Sequence, residues 1–135
     1  MKFNKLIPEL SVSDFEKSLE FYTKILGFKV EYTREKFAFL SLQRSQIMIE
    51  EINNHWKTGE LEYPFGRGIN FQIEIKDINP ILQSLKKNKH ALFKNPEDKW
   101  YRKANKLLGC REFLVQDPDG YLLRFSQDIG TKDVN

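Results

Sequence analysis

Near its C-terminal end the chain reads Arg111-Glu112-Phe113-Leu114-Val115-Gln116-Asp117-Pro118-Asp119-Gly120-Tyr121-Leu122-Leu123-Arg124-Phe125. Two apolar runs rich in β-formers flank Asp117-Pro118-Asp119-Gly120. There Pro presets φ, Asp folds back onto its own backbone, and Gly accepts the positive φ that closes a turn. This predicts a β-hairpin, and a hairpin of that kind needs a sheet to join. The turn demands short side chains at Asp117 and Asp119, so these are read as turn-makers rather than as an acid/base pair. A weaker copy of the pattern lies earlier, Phe37–Leu42 and Ile47–Glu50 around Gln43-Arg44-Ser45-Gln46. The expectation is one unit present twice.

Taken in order, Phe3–Val12 has strand spacing, with Leu6, Pro8, Leu10 and Val12 on one face, and Pro8 assigns that strand to an edge. Ser13 with Glu16 reads as a capping box, and Phe15, Leu19, Tyr22 and Leu26 fall on one helical face before Gly27. Phe28–Tyr32 alternates as a second strand, and the hairpin between Phe37 and Glu51 supplies two more. The first unit is therefore βαβββ. Ile52–Gly68 is polar and punctuated by Gly and Pro, which predicts a long crossing loop with Trp56 inside it. A second unit follows: a strand at Ile69–Ile75, then a helix capped by Asp77 with Pro80 in its first turn and Ile78, Ile81, Leu82 and Leu85 inward. A short strand at Ala91–Phe93, an irregular charged stretch from Asn95 to Leu108, the closing hairpin and a loose tail from Asp128 to Asn135 complete the reading. The predicted fold class is α+β, a single domain over 1–135. Module one covers about 1–52, a linker about 53–67, module two about 68–127 and a tail 128–135.

A chain of 135 residues carries enough apolar side chains for one core without staples. One cysteine, Cys110, allows no internal disulfide, and the opening Met1-Lys2-Phe3-Asn4-Lys5 starts no apolar run, so the expected setting is a reducing cytoplasm with no membrane span. The net charge of +3 is dispersed among nearly as many acids, which argues against a nucleic-acid site. There is no G-x-S-x-G, P-loop or G-x-G-x-x-G motif, Cys110 has no neighbouring His to make it a thiolate, and His55 and His90 are isolated. The 18 aromatic residues exceed what one small core hides, and Trp56, Tyr63, Phe65, Trp100 and Tyr101 stand in polar or irregular contexts that suit stacking on a flat ligand.

Leu10-Ser11-Val12-Ser13-Asp14 leading into Ser18-Leu19-Glu20-Phe21-Tyr22 and Leu26-Gly27-Phe28, together with the doubled βαβββ and the late Asp117-Pro118-Asp119-Gly120-Tyr121, resembles the vicinal-oxygen-chelate superfamily, in particular its glyoxalase/bleomycin-resistance group. The resemblance runs from about Leu6 to Gln127 and implies two modules whose sheets curl into a crevice, often completed by a second subunit. Metal-dependent members take His, Gln or Glu ligands from the first strand of each module and the last strand of a module. Here those positions fall on Ile7, near Gly68 and on Arg124, with Glu9 and Asn70 one register away. Ile and Gly have no donor and Arg no lone pair, so the expectation is no metal and no cofactor. Glu50 is the one carboxylate near a ligand position.

The resemblance thus implies a non-enzymatic, homodimeric protein holding a small molecule with a planar aromatic part, such as a bleomycin-like glycopeptide. Phe37, Trp56 and Trp100 match aromatics used around the drug, and Phe39, Glu50, Phe71 and Tyr101 complete the expected ligand-binding set. Two alternatives stay open. One is a metal-dependent lyase or dioxygenase with unconventional ligands including Glu50, and the other is a protein-binding module using the same crevice.

Overall fold

Each half of the chain lays down strand, helix and three antiparallel strands, and in each the first strand returns to pair in parallel with the last. A computed structural model describes residues 2–134. In the first half β1 is Glu9–Val12 and α1 is Phe15–Glu20, prolonged by a π-helical turn at Phe21–Ile25. β2 is Lys29–Arg34, β3 is Phe37–Leu42 and β4 is Ser45–Glu51. In the second, β5 is Asn70–Glu74, α2 is Asn79–Lys87, β6 is Lys94–Lys103, β7 is Lys106–Gln116 and β8 is Leu122–Asp133. The strand orders are β1-β4-β3-β2 and β5-β8-β7-β6, two four-stranded sheets of the same topology. The fold is α+β, two βαβββ modules, as the doubled hairpin predicts.

The chain groups into two compact units, one running to Arg67 and including Asp117–Tyr121, the other comprising Gly68–Gln116 and the chain from Leu122 onward. In the first, Leu10, Ile47, Ile49, Ala38 and Leu40 form the buried side of the sheet, with Phe15, Tyr22 and Leu26 of the helical segment also buried. The β3–β4 link is a two-residue turn at Gln43-Arg44 with both φ positive, matching the twist of the strands it joins. In the second, Ile73, Phe113, Val115, Leu123 and Phe125 are buried, as are Ile78, Ile81 and Leu85 of the α2 segment.

The Asp117–Gly120 turn is a clamp inside the first unit. Asp117 accepts the backbone N–H of Asp119 and Tyr121, each at 2.9 Å, and the hydroxyl of Tyr22 at 2.7 Å. Asp119 accepts both the backbone N–H and the hydroxyl of Ser13, and Tyr121 donates to the carbonyl of Ser11 at 2.9 Å. Gly120 has φ +93, and a Cβ there would stand 2.6 Å from the Cα of Pro64, so both conformation and space call for glycine.

The structure corrects several boundaries. Ser13 turns to Asp119, and it is Asp14 that caps α1, accepting the N–H of Lys17 at 3.1 Å; Glu16 makes no capping box and bonds Lys36 instead. β1 is only four residues, because the preceding segment is tied by Gln46, whose side chain bonds Asn4 N and Lys2 O, rather than by a strand ladder. Asp77 accepts the N–H of Asn79 in a turn just ahead of α2. Ala91–Phe93 is not a strand. Asn95–Leu108 is not irregular but the greater part of a long hairpin, and the expected tail is the end of β8, paired with β7 as far as Lys106–Asp133. In these last two, charged side chains hide the strand period, and pairing with β7 supplies the order.

Candidate functional site

Alternation along the strands of the second sheet sends one set of side chains to the buried side and the other to an open face. Phe113 and Val115 go inward, so Cys110, Glu112 and Leu114 go outward; Leu123 and Phe125 go inward, so Arg124 and Ser126 go outward. On β5, Ile73 goes inward with Phe71 beside it, leaving Gln72 and Glu74 on the open face opposite Arg124 and Ser126. That face carries a cavity of about 310 Å³ whose lining includes Gln72, Glu74, Tyr101, Leu108, Cys110, Glu112, Arg124, Ser126 and Asp128. A second hollow of about 240 Å³, bordered by Asn70, Lys94, Lys99 and Leu114, lies across Glu112 and Arg124.

Glu112 is the polar centre of this face. It is 4% exposed, accepts the Tyr101 hydroxyl at 2.8 Å and the Cys110 thiol at 3.4 Å, and has the Arg124 guanidinium at 3.8 Å. Arg124 donates to Gln72 at 3.0 Å, while its buried Nε–H has no partner among the described residues. A buried donor without an acceptor costs roughly 1–3 kcal/mol, so this nitrogen is a place where an incoming oxygen gains. Burial, reinforced by the bond to Glu112, pushes the Tyr101 hydroxyl above the usual phenol range. The Cys110 thiol is likewise raised, chiefly by burial and against the bond to Ser126, so it is a weak nucleophile. The larger cavity sets three carboxylates, Glu74, Glu112 and Asp128, against one guanidinium, a balance that favours a basic group on the ligand.

The other expected site residues are dispersed. Phe37, Phe39 and Glu50 share the face of the first sheet opposite its buried aliphatic side, where Tyr32 stacks on Phe39 with ring centroids 5.3 Å apart and Arg34 lies 3.8 Å above Phe37. Both phenylalanines are 1% exposed, so their rings are covered by protein in this structure. Burial and the nearby Glu50, opposed by Arg34, raise the Glu9 carboxyl on the same face. Trp56 is 67% exposed on the long loop, its indole 6.4 Å from His55. Phe71 points away from the cavity. Trp100 is next to Tyr101 on β6 and so faces the other way, seated over Gly109 with Lys132 3.8 Å above its ring. Of the expected set, Tyr101 alone lines the cavity.

Gln72, Glu112 and Arg124 were not among the residues expected to bind a ligand. The signal for them is a charged or amide side chain set between inward aromatics and aliphatics in a strand-forming run, as in Glu112-Phe113 and Leu123-Arg124-Phe125.

The donor set does not fit a divalent cation. Among the described residues no three His, Cys, Asp or Glu are gathered where they could hold one, and Arg124 brings its positive charge to the open face. His90 lies 2.8 Å from the carbonyl of Gln116.

A family model described as the Glyoxalase/Bleomycin resistance protein/Dioxygenase superfamily matches residues 5–125. A bleomycin resistance protein of Geobacillus stearothermophilus is 29% identical over 134 residues, covering 91% of this chain and 96% of that protein. A probable lactoylglutathione lyase of Vibrio parahaemolyticus is 29% identical over 129 residues, covering 88% and 86%. In fold, the chain is similar to TioX from a Micromonospora species, with TM-score 0.72 at 15% identity over 94% of this chain and all of that one.

Proposed function

The chain belongs to the glyoxalase/bleomycin resistance protein/dioxygenase superfamily, and from that premise we propose that it is a metal-free, homodimeric, cytoplasmic protein that sequesters a small molecule with a planar aromatic part and a basic group, of the bleomycin glycopeptide kind. The observation that carries this reading is the cavity on the open face of the second sheet, whose centre is a nearly buried carboxylate and a guanidinium with one unsatisfied N–H. Sequestration needs affinity alone. A ring can lie along Tyr101 and Leu108, an acceptor can reach Arg124 Nε, and a basic group can be held by Glu74 and Asp128. Tyr101 and Cys110, both held protonated, offer hydrogen bonds rather than nucleophiles. Relatedness to bleomycin resistance proteins across nearly the whole chain supports the ligand class. Trp56, exposed on its loop, is proposed as a further stacking surface.

Titration of bleomycin by calorimetry, with tryptophan emission recorded in parallel, tests this. Saturable binding is expected at one class of site, weakened roughly tenfold or more by Tyr101→Ala. Absence of heat and of spectral change at ~100 µM drug, about 5 kcal/mol of binding free energy, would remove the glycopeptide as ligand.

A second reading is a metal-dependent lyase, favoured by the nearness of Glu50 to Glu9 on the face of the first sheet opposite its aliphatic side and by the Vibrio relative. Turnover of a glutathione hemithioacetal restored by added Zn or Ni, and lost in Glu50→Gln, would select it over sequestration.

A further inference from the structure

β6 is the outer strand of the second sheet, so one side of its backbone has no strand beside it. Among the edge strands it is the longest, ten residues against four in β1, six in β2 and five in β5. Natural edges are blunted by proline, bulges and charge. In β6 the proline and the register break come early, at Pro96 and between Lys94 and Glu97. From Glu97 to Lys103 the strand follows β7 residue for residue, exposed along nearly its whole length.

The acids of this open stretch are confined to one end, Glu97 and Asp98, and Arg102 and Lys103 stand at the other, with Lys99, Trp100 and Tyr101 between them. A second strand of the same sequence, laid antiparallel with the dyad at Trp100, sets Asp98 opposite Arg102 and Glu97 opposite Lys103 on each side of the axis. A shift of one residue either way leaves only one such pair per half, and a parallel in-register arrangement sets like against like. Opposite charges directly across an antiparallel pair stabilise it, and like charges destabilise it. Arg102 and Lys103 make no ion pair among the described residues, though Arg102 Nε donates to the Ala104 carbonyl at 3.1 Å; Asp98 is held by Arg111 at 2.8 Å and Glu97 by Lys99 at 3.0 Å.

We propose that the Glu97–Lys103 edge of β6 is a self-complementary interface, where a second copy of this chain adds its own β6 antiparallel and the two sheets become one of eight strands. This rests on the homodimer in the reading above and names the surface that makes it. The same pairing brings Lys99 of the second copy opposite Tyr101, on the cavity face, so each copy adds a second lysine to the rim of the other's cavity, beside the Lys99 already there.

Sedimentation velocity at ~50 µM tests the interface, using the charge reversal R102E/K103E, its partner reversal E97K/D98K and the variant carrying all four changes. The wild type is expected to be a dimer. R102E/K103E should weaken it at least ~tenfold, the four-fold variant should regain it, and a mixture of the two double variants should form the mixed dimer. Lys103→Glu alone, at an exposed side chain without an ion pair, serves if a double variant fails to fold. A wild-type monomer, or a dimer that R102E/K103E and Lys103→Glu leave intact, overturns the proposal. Bleomycin titration separates this from the ligand reading: an intact dimer that still binds drug sinks the β6 interface alone, whereas a β6-dependent dimer without drug binding upholds it.

Discussion

At the scale of single residues, the turn that organises the sequence also carries an acid with a displaced equilibrium. Asp117 is buried beneath Tyr22 and the turn's own N–H groups, and desolvation outweighs those hydrogen bonds, pushing its carboxyl up to about 6. Between the ordinary aspartate range and that value the folded chain binds a proton that the unfolded chain has released. Its contribution to stability is therefore greatest at low pH and is lost as pH rises through about 6, in total about 3 kcal/mol. Asp117→Asn should remove that slope, so urea melts of variant and wild type compared at pH 4, 5, 6 and 7 should change in difference across the window. Parallel profiles would mean that Asp117 titrates normally. Gly109 makes a second single-residue test. An added Cβ would meet the Trp100 ring at 2.5 Å, so Gly109→Ala should unseat the indole, shift its emission in a Trp56→Phe background and cost about 1–3 kcal/mol. An unchanged spectrum and melting point would contradict the seat.

Among the elements, the long hairpin and β8 decide how the second module differs from the first. Ending the chain at Gln127 would strip β7 of its partner from Asp128 onward, taking Ile129 from beside Gly109 and Lys132 from over Trp100. The variant should melt about 4 °C lower or more, whereas a loose tail could be removed without effect. The first module was legible because its apolar residues keep the strand and helix periods, and because Asp117-Pro118-Asp119-Gly120 can be little but a turn. Lys94–Lys103 was not, since Lys, Glu, Asp and Arg occupy both faces and its order comes from pairing with β7, a contact remote from local propensity. The site was legible only in Tyr101. Its centre depends on which face Glu112 and Arg124 take, and that is fixed once the register of β7 on β8 is known. The cap at Asp14 escaped for a similar reason, because Ser13 is claimed by an aspartate 106 positions away.

For the molecule as a whole, family membership sets the range of functions, and the proposed reading rests on the chemistry of one face. The superfamily spans lyases, dioxygenases and binding proteins. In this chain Arg124 stands on the open face of the second sheet, and a nearly buried carboxylate is matched to it without metal donors gathered around. In the proposed function a small molecule is held at this face of the second sheet. Backbone amide spectra of ¹⁵N-labelled protein, recorded while bleomycin is added, test it most directly. Saturable shifts are expected, concentrated at Gln72, Tyr101, Cys110, Glu112, Arg124 and Ser126. A saturable titration whose shifts leave those six unmoved would contradict it.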